Sequence, residues 1–148
     1  MHFDKLNIGE TIHSAATYYV SEHEIIEFAK QWDPQPFHIS KKAAQEHQIG
    51  KLFASSVHTI AIATKLAHSN PYFEIDAVAG LGIDQLKMLK PVFAGETLSL
   101  KIKLTDKRLS ASNPGKGVIT KKVYVSNQHG ELKMTFLNVS LVHVNNEI

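Results

Sequence analysis

Residues 55 to 68, SSVHTIAIATKLAH, contain no proline, glycine or acid, and Val57, Ile60, Ala61, Ile62, Ala63 and Leu66 place apolar groups nearly all round the helix they predict. Such a helix has to be enclosed rather than laid on a surface. The enclosing material comes later in the chain. Leu98, Leu100, Ile102 and Leu104 alternate with Ser, Lys and Lys, the period-two pattern of a half-buried antiparallel strand. GVITKKVYV at 117–125 and ELKMTFLNVSLVHV at 131–144 predict two more strands, joined by the turn SNQHG, and SASNPGKG at 110–117 reads as a loop. Adjacent apolar Phe136 and Leu137 shift the phase of the last strand and predict a bulge there. Helix and strands are satisfied together when the sheet curls around the helix, which gives an α+β domain.

Upstream, TIHSAATYYV at 11–20 predicts a first strand. Ser21 and Glu24 stand at capping-box spacing and open a helix whose apolar face is Ile25, Ile26, Phe28, Ala29 and Trp32, ended by Pro34. Ser40 caps a short helix over KKAAQEHQ that Gly50 stops, and Asn70 and Pro71 break the chain after the central helix.

With 148 residues and 43% hydrophobic composition, one domain over 1–148 is expected. The formal charge of +2 comes without a basic block, so nucleic acid is not an expected partner, although the lysines suit a small anionic ligand. The absence of cysteine excludes disulfides, a thiol nucleophile and thiolate zinc sites. The first residues lack an apolar run with a cleavage site, and the most apolar stretch is too short to span a bilayer. No membrane association and a cytoplasmic location are the default expectations. The nine histidines form no HExxH pattern, and no metal is expected. AGLGID at 79–84 lacks a dinucleotide loop's third glycine, and no GxSxG elbow occurs.

The stretch DPQPFH at 33–38 is different in kind. Two prolines hold it out of regular structure, with an acid at the C-terminal end of a helix, where the macrodipole disfavours an anion. Asp33 and His38 are thereby kept at a set separation, which suits a general acid/base pair working on one water. Spacing alone still favours a plainer reading, with Asp33 and Ser40 as caps and His38 a loop residue bonded to backbone.

FAKQWDPQPFHISKKAA resembles the signature of the MaoC-like dehydratases, which include the (R)-specific enoyl-CoA hydratases, with Asp33, Gln35, Pro36, His38 and Ala43 in the motif positions. LFASSVHT resembles the start of that family's central helix, and LGIDQLKMLKPVFAGETL its next strand, P-V loop and G-D/E turn. The resemblance runs from about residue 9 to 144. It implies a hot-dog fold, a curled antiparallel sheet wrapped around a long central helix. It implies that Asp33 and His38 hold and activate water for reversible syn addition across the 2,3 double bond of an acyl thioester, carried by CoA or a carrier protein, with no resident cofactor.

The enolate would be met by backbone N–H groups near Ser55, Ser56 and Gly82. Where relatives read Ser/His-Gly, Ser56 brings a Cβ that narrows or closes this site. Thr64 stands where relatives place a hydroxyl near the pair, and equally reads as bonded to its own preceding turn. Lys87, Lys107, Arg108, Ser110 and Ser112 would orient a loop or meet CoA phosphates. His58 reads as facing the site or as a core histidine satisfied by one backbone bond. A homodimer is expected because a lone curled sheet leaves an open edge. The alternatives are a hot-dog thioesterase, against which stands the lack of Asp or Glu on the central helix, and a non-catalytic acyl-thioester binding module.

Overall fold

The computed structural model describes residues 2–71 and 77–144. A single 3-10 turn at Phe3–Lys5 leads to strands β1 (Thr11–His13) and β2 (Tyr18–Tyr19). Helices α1 (Glu22–Trp32), α2 (Pro36–Ile39), α3 (Lys41–Glu46) and α4 (Ser56–Ala67) follow, then strands β3 (Ala77–Met88), β4 (Thr97–Leu109), β5 (Lys116–Ser126) and β6 (Leu132–His143). The sheet is antiparallel in the order β1-β4-β5-β6-β3, with β2 also on β4. It curls around α4 in the hot-dog arrangement.

Local signals explain most of the elements. The Ser21 hydroxyl accepts from the Glu24 N–H at 3.1 Å and caps α1, and the Ser40 hydroxyl accepts from the Ala43 N–H at 3.1 Å and caps α3. In β4 the row Leu98, Leu100, Ile102, Leu104 is buried, as the alternation predicts, the first three of them against the helix. Ile62, Ala63 and Leu66 of α4 meet that row together with Val123, Val125 and Phe136. Each fully buried side chain of this size contributes about 1.5–3 kcal/mol. A second cluster of Phe3, Leu6, Leu104, Ile119 and Val142 closes the far end of the sheet. Gly117 is fixed by this packing, because a Cβ there would lie 2.5 Å from the Phe3 ring. Among the described residues no helix is long and apolar enough to cross a membrane.

Several expectations need correction. Residues 11–20 form two short strands, because the chain turns at 14–17, where the Ser14 hydroxyl donates to the Ala16 carbonyl. Residues 36–39 form one helical turn rather than loop, since proline at the first helical position gives up a donor that had no partner anyway. Helix α3 ends at Glu46, before Gly50, which turns the chain with φ 83°. Trp32 is exposed. The loop before β5 is shorter, with Lys116 and Gly117 already paired.

No bulge breaks β6 at Phe136–Leu137. The irregularity lies in β3, where Gln85 and Leu86 together oppose Phe136 and Gln85 takes φ 51°. The inward row of β6 therefore continues in phase through Asn138 and Ser140. Finally, α4 is not enclosed all round by its own chain, since Val57, Ala61 and Lys65 are exposed.

Candidate active site

Pro34 ends α1, leaving Asp33 as its C-cap with its N–H on the Ala29 carbonyl at 2.9 Å. The Asp33 carbonyl accepts from the Gln35 N–H at 2.8 Å, and Pro36 opens α2, which carries His38. The two prolines thus turn the chain back within one helical step and bring the ring toward the carboxylate. His38 Nε2 lies 3.7 Å from Asp33 Oδ2. That is beyond a hydrogen bond, so the two polar atoms border a common space.

His38 is buried, and its Nδ1 lies 2.7 Å from the Phe53 carbonyl oxygen. A carbonyl only accepts, so Nδ1–H donates, and in the neutral imidazole it is Nε2 that carries the lone pair on the Asp33 side. Phe37 and Phe53 set their rings at 69° and 73° to the imidazole and hold it edge-on. Asp33 keeps 29% side-chain exposure against 6% for His38, so the carboxylate is the wet member of the pair. The plainer reading of His38 holds in one respect, since the ring does bond to backbone. That bond leaves the other nitrogen available.

Ser55 is fully buried at the N-cap of α4. Its hydroxyl donates to Asp33 Oδ2 at 2.6 Å and accepts from the Val57 N–H at 3.3 Å. Asp33 is thereby tied to the positive end of the central helix. Ser56 is half-buried, and as first residue of α4 it has an N–H without an intrahelical acceptor.

Gly82 and Thr64 are not drawn into this cluster. Gly82 pairs with Val139 at the irregular start of β3. The Thr64 hydroxyl donates to the Ile60 carbonyl at 2.9 Å, the local bond its bland reading described, while the residue also lines a cavity further along α4. Lys107 is committed elsewhere, donating to the Phe3 carbonyl at 3.2 Å, and the Ser110 hydroxyl accepts from the Asn113 N–H at 3.2 Å. Lys87 and Arg108 are exposed strand residues. Among the described residues no group of three or more His, Cys, Asp or Glu is arranged to hold a metal ion.

Two supporting groups carry little sequence signal. The first is the ionic network under the loop 90–96. Lys133 Nζ lies 3.0 Å from Glu96 Oε2 and 2.6 Å from Glu131 Oε1, and donates to the Pro91 carbonyl at 2.9 Å. Glu96 also accepts from the Phe93 N–H at 2.7 Å and from Asn127 Nδ2 at 2.6 Å. Burial alone would lower the Lys133 ammonium, but the Glu131 and Glu96 carboxylates outweigh it and raise its pKa. The loop so pinned grips 52–54 through Ala54 N–H to Val92 O at 2.8 Å and Ala94 N–H to Leu52 O at 3.3 Å, and hence positions the Phe53 carbonyl that orients His38. Glu96 belongs to a recognisable G-D/E turn, whereas nothing in ELKMTF marks Lys133 as buried.

The second group locks α1 to α4. His58 is buried, stacked on Phe28 at 4.3 Å, with Nε2 3.5 Å from Glu24 Oε1. It is the core histidine of the two readings in its burial, but the single backbone bond expected of it is absent, since neither ring nitrogen has a hydrogen-bond partner among the described residues. Burial pushes its imidazole below the usual histidine range despite the opposing Glu24 carboxylate. The Tyr18 hydroxyl donates to the same carboxylate, and burial together with that bond pushes the phenol up to about 12. Glu24 therefore serves this junction in place of the return bond of a capping box.

The comparisons with known proteins fit this geometry. The family described as MaoC like domain matches residues 4–127. The uncharacterized protein YdeM of Bacillus subtilis (strain 168) is 28% identical over 108 residues, 73% of this chain and 76% of that one. A MaoC-like dehydratase from Rhodospirillum rubrum has a structure similar to this one at TM-score 0.90 and 28% identity, covering 98% of each chain. The unliganded R-hydratase PhaJ1 of Pseudomonas aeruginosa shares the fold at TM-score 0.73 and 18% identity, over 97% of this chain and 86% of that one. With the motif at 33–38, the curled sheet around α4 and these similarities in agreement, the chain belongs to the MaoC-like family.

Proposed function

We propose that the protein is a hydro-lyase that adds water reversibly across the 2,3 double bond of a 2-enoyl thioester, or removes it from the 3-hydroxyacyl thioester. The observation that carries this reading is the 3.7 Å approach of Asp33 Oδ2 and His38 Nε2, with the imidazole tautomer set by the Phe53 carbonyl. Both facing atoms are acceptors, so one water donates a proton to each and its oxygen is held for attack on C3. The proton taken from water returns to C2 from the same pair, which makes the addition syn and balances the reaction. Charge passing to the thioester oxygen meets the N-terminus of α4, where the Ser56 N–H is a free donor at a positive helix end. A donor of that kind is worth about 2.7–4 kcal/mol of barrier.

No acid lies on α4, which disfavours the thioesterase alternative. The binding-module alternative draws its support from the Ser56 Cβ at the first turn. The deciding experiment is loss of enoyl-thioester absorbance with crotonyl-CoA and longer 2-enoyl-CoAs, with chiral analysis of the product. The expected outcome is an (R)-3-hydroxyacyl thioester, with turnover abolished in Asp33→Asn and His38→Ala at nearly unchanged melting temperature. Wild-type rates in Asp33→Asn would remove the pair from the mechanism, and release of free CoA would mark a thioesterase. Binding without turnover that Ser56→Gly restores would identify a site closed by Ser56.

The same reading includes a second copy of the chain. Among the described residues strand β3 pairs on one side only, with β6, and it exposes Val78, Leu81, Ile83 and Leu86. Long apolar edges of this kind are covered in stable proteins.

A further inference from the structure

Strand β5 carries Ile119, Lys121, Val123 and Val125 on one face, the face turned to α4, with Lys122 on the other. Lysine at the second place of that row departs from the pattern of an otherwise apolar core face. Its cross-strand neighbour is Asn138, whose side-chain carbonyl accepts from the Ser140 hydroxyl at 2.9 Å. These three polar residues separate the two apolar clusters and line a cavity of about 540 Å³ between the sheet and the C-terminal half of α4. The remaining wall is mostly apolar, built from Ala63, Ala67, Ile102, Val123 and Phe136 among others. The volume is that of a small-molecule pocket.

Among the described residues no carboxylate forms an ion pair with Lys121, in contrast to Lys133 on the neighbouring strand. Burial pushes the Lys121 ammonium below the usual lysine range with nothing opposing it. A ligand that is apolar throughout would fill the cavity yet leave this cation desolvated and unmet. A carboxylate at the far end of an apolar chain would meet it, with Asn138 as a second donor.

We propose that this cavity receives the distal part of the acyl group and that Lys121 selects acyl thioesters ending in a carboxylate. The inference rests on the hydro-lyase reading, because it is α4 that joins the two places. Ser56 opens the helix next to Ser55, which holds Asp33, and Thr64 on the cavity wall lies roughly 12 Å further along the axis at 1.5 Å per residue. An extended chain running along the helix would bring its end to Lys121.

The test is calorimetric binding of two CoA series matched in length, succinyl-, adipyl-, suberyl- and sebacyl-CoA against butanoyl-, hexanoyl-, octanoyl- and decanoyl-CoA. The expected result is a preference for the carboxylated member of about tenfold or more at the best length, about 1.4 kcal/mol. That preference should be lost in Lys121→Met and kept in Lys121→Arg, with melting curves showing that each variant folds. Equal or weaker binding of the carboxylated series at every length, or a preference surviving Lys121→Met, overturns the proposal and leaves hydration of 2-enoyl-CoA standing. Failure of both series to bind overturns the hydro-lyase reading and this inference together.

Discussion

Lys133 is only 1% exposed, and an ammonium at that depth is tolerated because Glu96, Glu131 and the Pro91 carbonyl surround it. Removing one member of a buried pair costs more than the pair is worth, since the other charge is left desolvated. Lys133→Met should therefore destabilise the protein by about 3 kcal/mol in urea unfolding, and adding Glu96→Gln should recover part of that loss. A loss below about 0.5 kcal/mol, the scale of an ordinary surface change, would show that the loop 90–96 is held by its backbone bonds alone. This is also the scale at which the sequence is hardest to read. Asp33 and His38 stand out because two prolines fix them locally. The Phe53 carbonyl that sets the His38 tautomer lies 15 residues away, and Lys133 reaches Pro91 across 42. No local pattern encodes either contact, because both arise only when the sheet brings distant segments together.

At the scale of elements, caps and alternation are legible because their physics acts within a few residues. Ser21, Ser40 and Ser55 each cap a helix through their hydroxyls. The misreadings have a different origin. The two apolar neighbours Phe136 and Leu137 looked like a phase shift, yet the register of β6 on β5 continues past them, and the extra residue sits in β3, the strand laid against them. A bulge relieves a mismatch between two strands, and one strand's sequence does not say which of them yields. Ser55 joins element to site, capping α4 while holding Asp33 Oδ2. Ser55→Ala should cost about 1 kcal/mol of stability from the lost cap. If the serine also positions the carboxylate, kcat for 2-enoyl-CoA hydration should fall about tenfold or more with little change in KM. A fall no larger than the stability loss explains would confine Ser55 to capping.

At the scale of the whole molecule, the wrapped sheet was readable because an all-round apolar helix needs a complete enclosure. A single chain does not supply it. Val57 is 50% exposed on α4, and Leu81 and Ile83 are 54% and 50% exposed on β3, an edge strand with one partner among the described residues. The apolar groups of 55–68 thus report two burials, one made by this chain's own sheet and one still open. A second copy placed edge to edge along β3 would complete the hydrogen-bond ladder and cover both surfaces in one symmetric contact. Light scattering during gel filtration should accordingly give twice the chain's 16.5 kDa at micromolar concentration. The pair Leu81→Glu and Ile83→Lys, introduced singly, should each shift the mass toward monomer, because each puts an unpaired charge into the contact. Mixing the two variants should restore dimer only if the two positions face one another across the twofold axis. A wild-type monomer that stays soluble at high concentration would break the link between the exposed stripe of α4 and the edge of β3, and would leave the apolarity of Val57 and Ala61 without a structural cause.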